Sequence, residues 1–89
     1  MYEIYNVRYN MVLSGGGDIW ALGGNVVGHP RFETGKHVMP SNPVEFDEVN
    51  DVLTTTSGSK YKIMSYGVDR DSVVAQIKKD ILNGGYEVH

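Results

Sequence analysis

Over residues 2–13 the chain alternates: Tyr5, Val7, Tyr9, Met11 and Leu13 share one parity, while Asn6, Arg8 and Asn10 share the other. A period of two marks a strand with one buried face. Ser14-Gly15-Gly16-Gly17-Asp18 breaks the pattern with residues that tolerate positive φ, and alternation resumes over 19–27 with Trp20, Leu22 and Val26 on one face. The two runs predict a long first hairpin around which the rest must fold. Gly23 and Gly24 interrupt the second run, where a missing side chain marks a bulge, a sharp bend or a close backbone approach. A curled sheet fits that better than a flat one.

Shorter β-like pieces follow at 36–39, 43–47, 51–56 and 60–65, separated by Pro40-Ser41-Asn42-Pro43, Glu48-Val49-Asn50 and Ser57-Gly58-Ser59. Turns at such close spacing predict a small antiparallel β-meander or partial barrel. Pro40 and Pro43 cannot donate to a ladder, which places that piece at an edge or in an irregular crossing. Residues 70–83 read as the one helix, with Val73, Val74, Ile77, Ile81 and Leu82 on a stripe and Asp69 or Asp71 as its N-cap. Lys78 and Lys79 suit its C-terminal dipole, and Asn83-Gly84-Gly85 ends it through a left-handed cap. Tyr86-Glu87-Val88-His89 offers a last short strand. The expected class is α+β: one β-rich domain over 1–89 with a single C-terminal helix.

Composition narrows the function. A domain of 89 residues has a thin core, so oligomerisation would be a natural supplement. With 11 acidic residues against 8 basic ones and a net charge of −3, the chain lacks the basic footprint of a general nucleic-acid binder. It has no cysteine, hence no disulfide and no thiolate zinc site. Without a secretory pattern or an apolar run of membrane-spanning length, it is expected to be cytoplasmic and free of the membrane.

The stretch Gly28-His29-Pro30-Arg31-Phe32-Glu33-Thr34-Gly35-Lys36-His37 sets two imidazoles, two cations, a carboxylate and an aromatic ring between and beside two glycines. It is the best candidate for a site. It is not a phosphate loop of the nucleotide-triphosphatase kind: the glycine spacing is too long, His37 follows Lys36 where a hydroxyl belongs, and no helix comes next. Ser14-Gly15-Gly16-Gly17 lacks the strand, turn and helix of a dinucleotide fingerprint. His29, His37 and His89 have neither helical i, i+4 spacing nor a cysteine partner, so no metal or other cofactor is expected. Ser41, Ser57 and Ser59 sit in turns, where hydroxyls are ordinarily structural.

Two chemical readings of the loop stand. In one, His29, Glu33 and His37 act as acid and base while Arg31 and Lys36 stabilise charge, as in a metal-independent phosphodiesterase or ribonuclease. In the other, which asks less of the loop, the chain binds without catalysis: Arg31 contacts phosphate bidentately, Phe32 stacks under a base, His29 donates or stacks, and Lys36 steers from the rim. The plain structural reading has Pro30 and Phe32 packing the loop on the sheet and Arg31 paired with Glu33, Asp47 or Glu48. A separate segment, Glu45-Phe46-Asp47-Glu48-Val49-Asn50-Asp51, carries four carboxylates in seven residues. It suits either a solvated loop or a decoy for nucleic acid.

The run Asn25 to Val38 with Gly28-His29-Pro30-Arg31-Phe32 at its centre, followed by Ser41, Thr54-Thr55 and Ser57-Gly58-Ser59-Lys60-Tyr61-Lys62-Ile63, resembles small uncharacterised proteins of phages and mobile elements. The chain is also similar, more loosely, to anti-Thoeris phage sponges, oligomers that sequester cyclic-ADP-ribose-type or cyclic-oligonucleotide signals. The resemblance implies His29, Arg31 and Phe32, with Ser57, Ser59 and Tyr61, as ligand-facing positions. The expectation is a homo-oligomeric anti-defence protein that sequesters a small phosphate-bearing nucleotide signal. The runner-up is an inhibitor of a host defence protein complex, anti-CRISPR-like, acting through the acidic segment 45–51.

Overall fold

A computed structural model describes residues 1–88, the side chain of Ser14 excepted. His89, one of the three imidazoles weighed above and the end of the expected last strand, lies outside the described residues. The first hairpin is there and is longer than the alternation suggests: β1 runs Tyr2–Ser14 and β2 runs Gly17–Val27. Short strands follow, β3 at His37–Val38, β4 at Pro43–Asp47, β5 at Val52–Thr55 and β6 at Lys60–Ile63. The helix α1 spans Arg70–Asn83, and β7 is Glu87–Val88.

One sheet takes the order β3-β2-β1-β6-β5-β4, with β7 pairing the other end of β2. The class is α+β as the sequence predicts, and β4, which Pro43 opens, is an edge strand. The sheet is nonetheless mixed. β1 and β6 run parallel, Tyr2 beside Tyr61 and Ile4 beside Ile63. The chain reaches that pairing through β3, β4 and β5, far beyond the span over which turn signals specify neighbours.

The alternation of β1 does not hold through its whole length. Tyr5 faces Asn25 and Arg8 faces Gly23, so Asn6 and Val7 together oppose Gly24 in a β-bulge, with Asn6 at φ 54°. The extra residue flips the face: Ile4 is in the core before it, Val7 and Tyr9 after it. Tyr5 therefore leaves the Val7 face and lies with Glu3, to which its hydroxyl donates at 3.3 Å. Gly24 allows the bulge, because a Cβ there would stand 2.7 Å from the Ile4 side chain and 2.8 Å from the Tyr5 carbonyl oxygen. The face also runs out of cover at the hairpin tip, where Met11 is 48% and Leu13 83% exposed.

α1 lays Val73, Val74 and Ile77 on the sheet, joining a core of Ile4, Val7, Leu22, Val26, Leu53 and Ile63. Asp69 caps it by accepting from the Ser72 N–H at 3.1 Å, and Gly84 at φ 79° closes it. The expected stripe holds at Val73, Val74, Ile77 and the half-buried Ile81, and fails at Leu82. Leu82 is 87% exposed, five residues beyond Ile77 and so on the far side of the helix, whereas Asp80 is fully buried. Its carboxyl is tolerated there because the Tyr9 hydroxyl and the Gln76 amide both donate to it.

Candidate ligand-binding cleft

Parallel pairing decides where the candidate residues meet. Because β1 and β6 start at the same end of the sheet, Tyr2 and Tyr61 stand side by side with ring centroids 5.6 Å apart. β2 runs antiparallel to β1, so the loop that leaves its C-terminal end arrives at that same place. The turn between β5 and β6, residues 56–59, immediately precedes Tyr61 and arrives there too. These pieces enclose a cleft of about 360 Å³.

The loop is held at its neck. Gly28 turns the chain out of β2 at φ 80°, and the Gly35 N–H returns to donate to the Val26 carbonyl at 2.8 Å. The Val26 N–H donates to the Lys36 carbonyl at 3.0 Å, and the Asn25 side-chain amide donates to the Gly35 carbonyl at 3.0 Å. His37 and Val38 then pair with Asn25 and Gly24. The bare backbone of Gly23 leaves room for the His37 ring, which a Cβ would meet at 2.8 Å.

Inside the cleft, His29 is the hub of an aromatic cluster. Its ring lies 4.3 Å from that of Tyr2 and 4.7 Å from that of Phe32, both tilted, and stacks at 6.4 Å on Tyr61. The Arg31 backbone N–H donates to His29 Nδ1 at 3.0 Å, so the neutral imidazole carries its proton on Nε2. Phe32 is 36% exposed and lines the cleft instead of entering the core. The Lys36 ammonium lies 5.8 Å from the centroid of the Phe32 ring, outside the cleft lining. Among the described residues Arg31 makes no ion pair: Asp47 is turned to Val49 and Asn50, and Glu48 pairs with Lys78. Its guanidinium is left with its donors available in a protein of net charge −3.

The facing wall is a chain of hydroxyls. Ser41 Oγ donates to Ser57 Oγ at 3.0 Å, and Ser57 Oγ donates to Ser59 Oγ at 3.3 Å. Thr55 Oγ1 lies 3.0 Å from Ser57 Oγ, and the Ser57 N–H donates back to Ser41 Oγ at 3.3 Å. Burial raises the Tyr61 pKa above the ordinary tyrosine value, the neighbouring Ser59 hydroxyl working against it and Tyr2 adding to it, so the phenol remains a donor at neutral pH.

Of the seven positions expected to face a ligand, His29, Arg31, Phe32, Ser57, Ser59 and Tyr61 line this one cleft, with Lys36 beside Phe32. Tyr2 and Ser41 line it too, with Pro30, Val38, Met39 and Pro40, and the sequence does not mark Tyr2, whose role depends on the β1–β6 pairing. The acid/base constellation is not assembled: neither Glu33 nor His37 lines the cleft with His29. Among the described residues no three His, Asp or Glu side chains are placed to hold a metal ion. Family models, curated proteins and solved structures give no match to this chain.

A larger hollow, about 610 Å³, lies at the C-terminal end of α1 between Asn42, Asn83 and Tyr86. Its charges are spent on each other, Lys79 pairing with Glu87 at 2.8 Å. Among the described residues it offers no free cation and no stacked rings. No helix among the described residues is long and apolar enough to cross a membrane.

Proposed function

We propose that the chain is a binding protein that captures a small phosphate-bearing nucleotide signal, of the cyclic-nucleotide or ADP-ribose-derived kind, without transforming it. One observation carries the reading. A guanidinium with no ion pair, an exposed aromatic surface made by Phe32 and His29, and a wall of linked hydroxyls converge on a cleft of about 360 Å³. Those are the groups that recognise a phosphate, a base and a ribose respectively. The volume suits one small nucleotide. The resemblance to anti-Thoeris sponges points the same way, toward sequestration in a phage anti-defence role.

The acidic-decoy reading has less to stand on. Asp47 accepts from the backbone of Val49 and Asn50 and from the Asn50 amide, which holds its pKa below the ordinary aspartate value. Glu48 pairs with Lys78, and Asp51 accepts from Arg70 at 2.7 Å and from the Tyr66 hydroxyl at 3.2 Å. Three of the four carboxylates thus tie the β4–β5 turn to itself and to α1, leaving Glu45 as the one with neither a side-chain hydrogen bond nor an ion pair among the described residues.

Native mass spectrometry against a panel of cyclic nucleotides and ADP-ribose isomers tests the proposal. The expected result is a stoichiometric adduct of unchanged ligand mass, released intact on heating and lost in Arg31→Ala. Recovery of a cleaved product would replace capture by phosphodiester chemistry. A clean apo spectrum against the whole panel would remove the nucleotide.

A further inference from the structure

The outer edge of the first hairpin is unfinished. β6 pairs β1 only at Tyr2, Glu3 and Ile4, and a single bridge joins Val7 to Tyr66. The Val7 N–H donates to the Ser65 carbonyl, and the Val7 carbonyl accepts from the Gly67 N–H. Beyond the bulge, then, odd-numbered residues aim their backbone groups at this edge, and the regular pairing of residues 8–14 with β2 extends that alternation to Tyr9, Met11 and Leu13. Among the described residues no strand pairs with those three on that side. Exposed edges are usually guarded by lysine, proline, inward charges or bulges. The segment Tyr9-Asn10-Met11-Val12-Leu13-Ser14 contains no charge and no proline, and the bulge lies before it.

The same residues carry an apolar face. Tyr9 is buried and bonds Asp80 of α1, but Met11 and Leu13 continue its face and are exposed. Beside Tyr9, between the sheet and α1, an open groove of about 320 Å³ is lined by Tyr9, Trp20, Val68 and Val73 together with the polar side chains of Arg8, Ser72 and Gln76. A knob and a hole therefore lie four residues apart on the half of β1 that β6 does not pair.

We infer that β1 pairs antiparallel with β1 of a second copy about a two-fold axis at Met11, inserting Leu13 of each chain into the groove beside Tyr9 of the other. The register follows from the backbone. Odd residues must face odd residues, and any register that engages Val7 would compete with its bonds to Ser65 and Gly67. Centring on Met11 faces Tyr9 with Leu13 and Met11 with Met11, using every free group and no occupied one. Directly opposed residues share a face, which puts Leu13 on the groove side. The absence of charge on 9–14 means that self-approach meets no like-charge repulsion at the edge. The ligand cleft lies at the Tyr2 end of the same strand, so the pairing leaves both clefts open.

Static light scattering and a cysteine scan test this independently of any ligand. The wild-type chain is expected near twice its 9.9 kDa mass. Met11→Lys and Met11→Glu, at a half-exposed position, should each fold and be monomeric, and their equimolar mixture should return to dimer. The chain has no cysteine, so Met11→Cys would be a single probe, its Cα facing its own copy at about 5.5 Å, within disulfide reach. It should crosslink on mild oxidation, whereas Asn10→Cys, which faces Val12, should not. A monomeric wild type overturns the inference. So does a dimer indifferent to Met11→Lys, and so does a monomer whose Tyr9, Met11 and Leu13 amides are protected from exchange only when a strand from another protein is added.

Discussion

The Tyr9 hydroxyl donates to the Asp80 carboxyl at 2.6 Å, joining the first hairpin to the last turn of α1 across the interior. Asp80 is fully buried and takes its other donor from Gln76 at 3.1 Å. Tyr9→Phe keeps the ring and removes the proton, leaving a buried acceptor short of a partner. The expected loss is about 1–3 kcal/mol. Urea unfolding should show a lower midpoint at unchanged slope, and an unchanged midpoint would mean that Asp80 finds another donor.

Alkaline pH should unfold the protein through its tyrosines. Burial, with the charge of Asp51 adding to it, pushes the Tyr66 phenol up to about 12. Burial also raises Tyr9, Tyr61 and Tyr86. A phenol whose folded pKa lies above its unfolded value near 10 keeps its proton in the native state after the unfolded chain has lost it. Its contribution is complete below about pH 10 and declines as pH rises toward and through the folded pKa. Urea midpoints over that window, followed with tyrosinate absorbance, should fall with pH, and less steeply in Tyr66→Phe.

Glycine positions should separate sharply. A Cβ at Gly24 would collide with the Tyr5 carbonyl oxygen, a backbone atom that cannot move aside without undoing the bulge, while one at Gly16 meets nothing within 4 Å. Gly24→Ala is expected to cost about 1–3 kcal/mol or more, as overpacking does. Gly16→Ala should be close to neutral. Parallel thermal melts of the two variants check the contrast.

Within the cleft, substitutions should weaken binding in proportion to what each group offers. Arg31→Ala removes charged donors and should raise the ligand Kd by roughly 10- to 100-fold, with Arg31→Lys recovering only part because its point charge cannot make the bidentate contact. Ser57→Ala interrupts the hydroxyl chain between Ser41 and Ser59 and should cost nearer tenfold. Calorimetric titration with the nucleotide that binds in the panel reads both, and thermal melts confirm that the variants remain folded.

What the sequence made legible was local. Alternation and the glycine run identify the hairpin, and Asp69 with Gly84 bounds the helix where it begins and ends. Period alone misassigned Leu82 and Asp80, because helical spacing identifies the buried stripe but not that a tyrosine from another element will satisfy a carboxyl on it. The bulge at Asn6 was equally hidden: one inserted residue exchanges the faces of a strand, and nothing in the residue types of 2–7 announces it. His29, Arg31, Phe32 and Lys36 follow from chemistry, and Ser57, Ser59 and Tyr61 from the resemblance alone; Tyr2 could be found only from the parallel β1–β6 pairing, a long-range register that neither turns nor propensities specify.

The clamp at the neck of the 28–36 loop has an evolutionary consequence. Val26 bonds Gly35 and Lys36 across it, so the backbone hydrogen bonds that fix the loop to the sheet are gathered at its neck. The side chains between them can be rewritten, lengthened or exchanged for those of a relative while the hairpin beneath keeps its hydrogen bonds. A lineage pressed to follow a changing chemical target could therefore retune this protein one tip at a time, carrying an unaltered scaffold from each version to the next.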